Sequence, residues 1–178
     1  MSKVLIQFDG SNFYNKVKKL SNNKIHLTNY NYKALASFIA GRKKVDITYY
    51  VGEIRKYPGN KKSQILYSSQ QSLFSNLRKQ GVEIKLGYLL MSEGKFHEKG
   101  VDVQIAVDIV RGAIKNEYDE FYLVSSDTDL LPAIEITKEE KKKVVYVGFE
   151  NFISHALINN CSSYKILSLK DIKKFKSK

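Results

Sequence analysis

The chain has 178 residues, 43% hydrophobic and 27% charged, which suits one domain with its own core. Thirty Lys+Arg against eighteen Asp+Glu give a net charge of +12, so polyanions, either nucleic acid or an anionic membrane, are the expected partners, although a lysine-rich solvated surface gives the same number. Cys161 is the only cysteine and His26, His97 and His155 are scattered, which excludes an intrachain disulfide and argues against a zinc site; no apolar run reaches the ~20 residues of a membrane span, so the expected location is the cytoplasm.

Lys3 to Phe8 reads as a first strand, apolar on both faces apart from Gln7, and it stops at Asp9-Gly-Ser-Asn12. Gly10 permits a tight turn, and Ser11 or Asn12 is placed to cap the helix that follows. Tyr32, Leu35, Ala36 and Ile39 recur at helical spacing, which predicts a helix over 31–40 stopped by Gly41. Val45 to Val51 is β-branched and aromatic and predicts a second strand. The loop from Arg55 to Lys62 carries four positive charges and Tyr57.

Ile65, Leu73 and Leu77 mark a long amphipathic helix that ends at Gly81. Val82 to Leu86 alternates, as a half-exposed or edge strand does. Glu93 to Gly100 is polar and reads as a loop. A helix over 101–115, a strand over 120–126 and a helix over 130–142 with Pro132 in its first turn follow. Then come a strand over 143–148, a short helical stretch over 152–158 and a last strand over 164–169. The basic tail, 170–178, is expected to fray, which leaves 1–169 as the domain.

Strands that alternate with helices, several of them continuous apolar runs, predict an α/β fold: a mostly parallel sheet covered by helices on both faces. Such sheets place their chemistry at the carboxyl ends of the strands. Asp9 ends the first strand there, and Asp127 and Asp129 end the strand from Glu120. In the helix from Val101, the residues Gln104, Asp108, Arg111 and Lys115 form one polar stripe expected to face solvent. Asp102 lies off that stripe, in line with Ile105, Ala106, Ile109 and Ala113, and a carboxylate heading an apolar face needs a partner.

Taken singly, Asp9, Asp102 or Asp129 reads as a helix cap. Taken together, carboxylates gathered at one rim call for a cation, and hard oxygen ligands favour Mg²⁺ or Mn²⁺. Asp127, at the strand tip, is expected to ligate directly with Asp9. Asp129 precedes Leu130-Leu-Pro132 and reads partly as a cap, reaching the ion through water. Asn12, Ser125 and Ser126 flank the carboxylates and are placed to orient them.

Asp9-Gly-Ser-Asn12 after a first strand, Lys99-Gly-Val-Asp102 opening a helix and Ser125-Ser-Asp-Thr-Asp129 after a late strand resemble, in combination and order, the signatures of the NYN domain family. That family is PIN-like, and bacterial LabA-like proteins belong to it. The resemblance spans Lys3 to Gly148 and implies a three-layer α/β/α sandwich with Mg²⁺- or Mn²⁺-dependent ribonuclease activity. It places Asp9, Asp102, Asp127 and Asp129 on the acidic positions and Asn12 on their polar companion, and Asp108 resembles a further acidic position. Ser126 stands where the family often has glycine, and Leu130 where it often has an aromatic.

RNA phosphates are expected to meet Lys99, Arg55, Lys56, Lys61 and Lys62, with Tyr57 or Phe96 stacking on a base. The sequence leaves two other functions open. One is a catalytically silent RNA-binding or regulatory module of the same fold. The other is a metal-dependent phosphohydrolase of small phosphate esters, suggested by Asp127-Thr-Asp129. The glycine-rich nucleotide motifs are absent. A homo-oligomer is possible but nothing in the sequence specifies one.

Overall fold

A computed structural model describes residues 2–41, 44–92 and 95–176, with 89–92 and 95–98 as backbone. The order is β1 (Val4–Asp9), α1 (Gly10–Leu20), α2 (Tyr32–Ala40), β2 (Asp46–Glu53), α3 (Lys61–Lys79), β3 (Glu83–Ser92) and β4 (Lys95–Lys99). It continues with α4 (Val101–Ile114), β5 (Glu120–Val124), a 3-10 turn (Thr128–Leu130), α5 (Leu131–Glu139), β6 (Lys143–Phe149), α6 (His155–Asn160), β7 (Ser163–Leu167) and α7 (Leu169–Lys173).

One seven-stranded sheet runs β4-β3-β2-β1-β5-β6-β7. Six strands are parallel and β4 alone is antiparallel, paired to β3. Helices flank both faces, so the predicted α/β class and its parallel sheet hold. β1 is central, between β2 and β5, with Asp9 level with Tyr50 and Phe8 level with Val124. The strand order reverses around β1, the position where such sheets open a crevice at their carboxyl rim.

One face is covered largely by aromatic packing. Phe8 and Phe13 meet edge to face at 5.2 Å, and Tyr30, Tyr32 and Tyr49 join them. The other face carries α4, α5 and α6 over Tyr50, Phe121, Leu123, Val144 and Tyr146. Gly87 on β3 lets α4 approach: a Cβ there would strike the Val101 side chain and stand 2.9 Å from the Lys99 carbonyl oxygen.

Some expectations need correction. Within the polar stretch expected as a loop, Lys95 to Lys99 form β4, while Glu93 and Gly94 lie outside the described residues. β3 is therefore interior. Of the two alternatives, half-exposed or edge, its alternation fits the first: Ile84 packs into the aromatic-side core while Glu83 and Lys85 line a polar cleft. Asp9, and not Ser11 or Asn12, caps α1. Part of the tail also orders. Ser168 and Asp171 form a capping box, Ile172 is buried, and the Phe175 carbonyl accepts from the Asn31 N–H. No helix among the described residues is long and apolar enough to cross a membrane.

Candidate active site

Asp9 is 4% exposed at the tip of β1. Burial there demands hydrogen bonds. Its Oδ1 accepts from the Asn12 N–H at 3.0 Å, which caps α1, and its Oδ2 accepts from the Ser125 hydroxyl at 2.8 Å. The same Ser125 hydroxyl, fully buried, accepts from the Asp127 N–H at 3.2 Å. One serine thus ties the tips of β1 and β5 together. The Asn12 side-chain oxygen accepts from the Ser126 N–H at 3.3 Å and makes a second tie between the same segments. Ser126 also hydrogen-bonds with the Tyr146 hydroxyl at 3.1 Å.

Asp127 is half-buried. Its Oδ1 accepts from the Asp129 N–H at 3.0 Å and caps the 3-10 turn. The capping role expected of Asp129 therefore falls to Asp127, and Asp129 lies exposed within the turn that Asp127 caps. The reason is local. The chain leaves β5 at Val124 and tightens into a 3-10 turn before α5 begins, so the capping position falls two residues earlier.

Asp102 is exposed in the first turn of α4. The buried stripe of that helix runs through Val101, Ile105, Asp108 and Gly112, flanked by Ile109 and Ala113. The face read from the sequence is buried at Ile105, Ile109 and Ala113, and Gln104, Arg111 and Lys115 are exposed as expected; Asp102 and Asp108 lie on the opposite sides from those expected, on a helix whose outer face is also apolar at Val103, Val107 and Ile114. Val101 seats closely on Gly87 at the start of the helix. α4 packs against the 3-10 turn, which places Asp102 on the helix adjoining Asp129. Among the described residues, no three or more His, Cys, Asp or Glu side chains are grouped closely enough to hold a metal ion.

Asp108 is the larger surprise. It is 8% exposed, on the sheet side of α4 and not on a solvent stripe. Its Oδ2 accepts from Tyr50 Oη at 2.9 Å and from Lys85 Nζ at 2.8 Å, and Arg111 approaches Oδ1 at 3.8 Å. Burial works to raise the Asp108 carboxyl. Hydrogen bonds from Lys85, Gln104 and Tyr50, with the lysine's charge, outweigh it and hold the group below its ordinary value. Burial, with the Asp108 charge, pushes the Tyr50 phenol well up. Tyr50 and Lys85 were not singled out from sequence. The polar Lys85 within an alternating strand was the available signal.

The model of the NYN domain matches residues 3–168, nearly the whole chain. The chain belongs to the NYN domain family, a PIN-like nuclease family. A solved protein of unknown function from Vibrio parahaemolyticus, VPA0982, superposes on this NYN domain with a TM-score of 0.69 at 21% identity, covering 96% of this chain and 95% of the other. That likeness supports the fold alone. The uncharacterized protein MJ0482 of Methanocaldococcus jannaschii is 40% identical over 67 residues. The match covers 38% of this chain, and the chain spans 28% of that protein's length.

The basic residues of this NYN domain lie on its surface. Arg55, Lys56, Lys61, Lys62 and Lys99 are all exposed. Lys56 Nζ stands 4.5 Å from the centre of the Tyr67 ring. Tyr57 is half-buried and its N–H donates to Ser63 Oγ, which ties the loop to the first turn of α3. The Phe96 side chain lies outside the described residues.

Proposed function

We propose that this NYN domain is a divalent-metal-dependent ribonuclease that hydrolyses RNA phosphodiester bonds at the rim shared by β1 and β5. The observation that carries the reading is the buried Ser125 hydroxyl, which donates to the Asp9 carboxylate and accepts from the Asp127 backbone N–H, and so ties the two strand tips that carry these aspartates. Two acidic residues on neighbouring strand tips of a basic protein suit a cation.

The residues present fit an ion of the Mg²⁺ or Mn²⁺ kind. Such ions keep several waters and take only one or two carboxylates, so they need no preassembled cage. The exposure of Asp102 and Asp129 fits contact through water, whereas a closed structural zinc site does not fit this donor set. When bound, the ion lowers the pKa of a water and screens charge growing on the phosphate. Asp9 and Asp127 would hold it. Ser125 fixes the Asp9 carboxylate, and Asn12 locks the β5 segment to α1. Lys99 and the Arg55–Lys62 loop draw the phosphate backbone onto the rim.

One observation favours a second reading, an RNA-binding module without catalysis: no three acidic side chains converge among the described residues. A single experiment separates the two. Structured and single-stranded RNA are incubated with Mg²⁺, Mn²⁺ or EDTA, beside the Asp127→Asn variant. Metal-dependent cleavage that the variant loses supports the nuclease. Binding without cleavage supports the module, and cleavage that survives the substitution points to a contaminant. Hydrolysis of small phosphate esters alone would favour a phosphohydrolase.

A further inference from the structure

A cavity of about 410 Å³ opens between the first turns of α1, the carboxyl end of β2 and the middle of α3. Gly10 and Ser11 border it, so it begins one residue from Asp9. Its walls are apolar: Val51, Ile54, Leu66 and Leu73, with the buried Tyr49 ring and the half-exposed Tyr14 ring. Asn15, Thr28 and Ser69 add hydrogen-bonding groups. Its size lies within the range of small-molecule sites, roughly 300–1,000 Å³.

The wall is braced. Gln70 is buried, donates to the Gly52 carbonyl at 2.8 Å and accepts from the Ile54 N–H at 2.8 Å. These bonds fix the end of β2 to α3 and set the point from which the basic loop departs. Arg55 directly follows Ile54, and Lys62 precedes Leu66 by one helical turn on α3. An apolar slot with aromatic sides and a few polar groups, flanked by cations and adjoining a candidate catalytic carboxylate, matches a nucleotide in parts. The base takes the slot and its phosphates take the basic residues.

We propose that this cavity binds an unpaired nucleobase of the RNA strand, adjacent to the phosphate presented at the rim. The proposal rests on the nuclease reading above and extends it to substrate class. A base in a duplex cannot enter such a slot, so the enzyme acts on single-stranded RNA or on loops from which a base is splayed out.

The test measures binding separately from cleavage. Fluorescence anisotropy in EDTA compares a labelled single-stranded 10-mer with an abasic 10-mer of the same backbone, on the Asp127→Asn protein. Stacking of one base predicts that the abasic strand binds roughly tenfold or more weakly. Adding Ser69→Trp, at an exposed position that fills the cavity mouth, is expected to bring the base-containing strand down to the abasic level. Tyr14→Ala is expected to do the same by removing a wall, and both variants are expected to bind the abasic strand as before. Equal affinity for the two strands overturns the proposal. So does a base preference that both variants leave intact. Metal-dependent cleavage by the unsubstituted protein without any base preference leaves the nuclease standing and removes the cavity from it.

Discussion

Two buried aspartates on one side of the sheet meet different chemistry. Asp108 receives an ammonium from Lys85 and a phenol from Tyr50, with Arg111 nearby. Asp9 receives an amide N–H and a serine hydroxyl, and a second carboxylate, Asp127, follows on the neighbouring strand tip. Asp108 is neutralised by the chain's own cation and locks α4 to β2 and β3. Asp9 is oriented at a rim, on the strand next to the one whose end leads into Asp127. A buried charge therefore speaks for function only after its neighbours are known.

The sharpest break between the two sites is in activity. Asp9→Asn keeps a residue that caps helices, so the fold should hold, while RNA cleavage should fall at least about 100-fold. A cleavage assay with a melting curve on the same sample checks both halves. Removing divalent ions with EDTA should abolish cleavage and leave the melting curve unchanged, with Mg²⁺ or Mn²⁺ restoring the rate.

Asp108→Asn should do the opposite, losing roughly 2–3 kcal/mol in urea unfolding through its hydrogen bonds to charged and phenolic partners, with cleavage retained. Acid should expose the same contrast. The folded Asp108 carboxyl sits below its ordinary value of 3.8, so its stabilisation is present above that value and is lost as pH falls below it. The Asp108→Asn variant should therefore show a shallower loss of stability below about pH 4. An unchanged acid limb would remove Asp108 from the account.

Ser125→Ala tests the link at the rim itself. The loss should be about 1 kcal/mol of stability and roughly tenfold in cleavage rate, the effect of loosening a ligand without removing it. A variant that cleaves normally would mean that Ser125 joins two strand ends and nothing more. The smallest effect expected is on binding by the loop. Lys62→Ala should weaken RNA binding several-fold at low salt and lower its salt dependence, measured by anisotropy across a salt series.

Much of this was legible in the residues themselves. Continuous apolar runs at Val4–Phe8 and Phe121–Val124, each ending in an aspartate or a short polar stretch before one, specify buried parallel strands with carboxylates at one rim. Short-range chemistry and strand burial are written locally, so the pattern of types and spacing suffices. Asp108, Lys85 and Tyr50 are far apart in the chain, and only packing of α4 across β2 and β3 makes them partners. The close seating of Val101 on Gly87 is a contact between distant residues that helical periodicity cannot encode. The strand β4 was hidden because its sequence is as polar as a loop's, which an edge strand tolerates. The cavity beside Asp9, too, exists only where α1, β2 and α3 meet. The sequence alone put aspartates at the ends of β1 and β5; the tertiary structure decided that Lys85 and Tyr50 meet Asp108, because only the packing of α4 across the sheet brings them together.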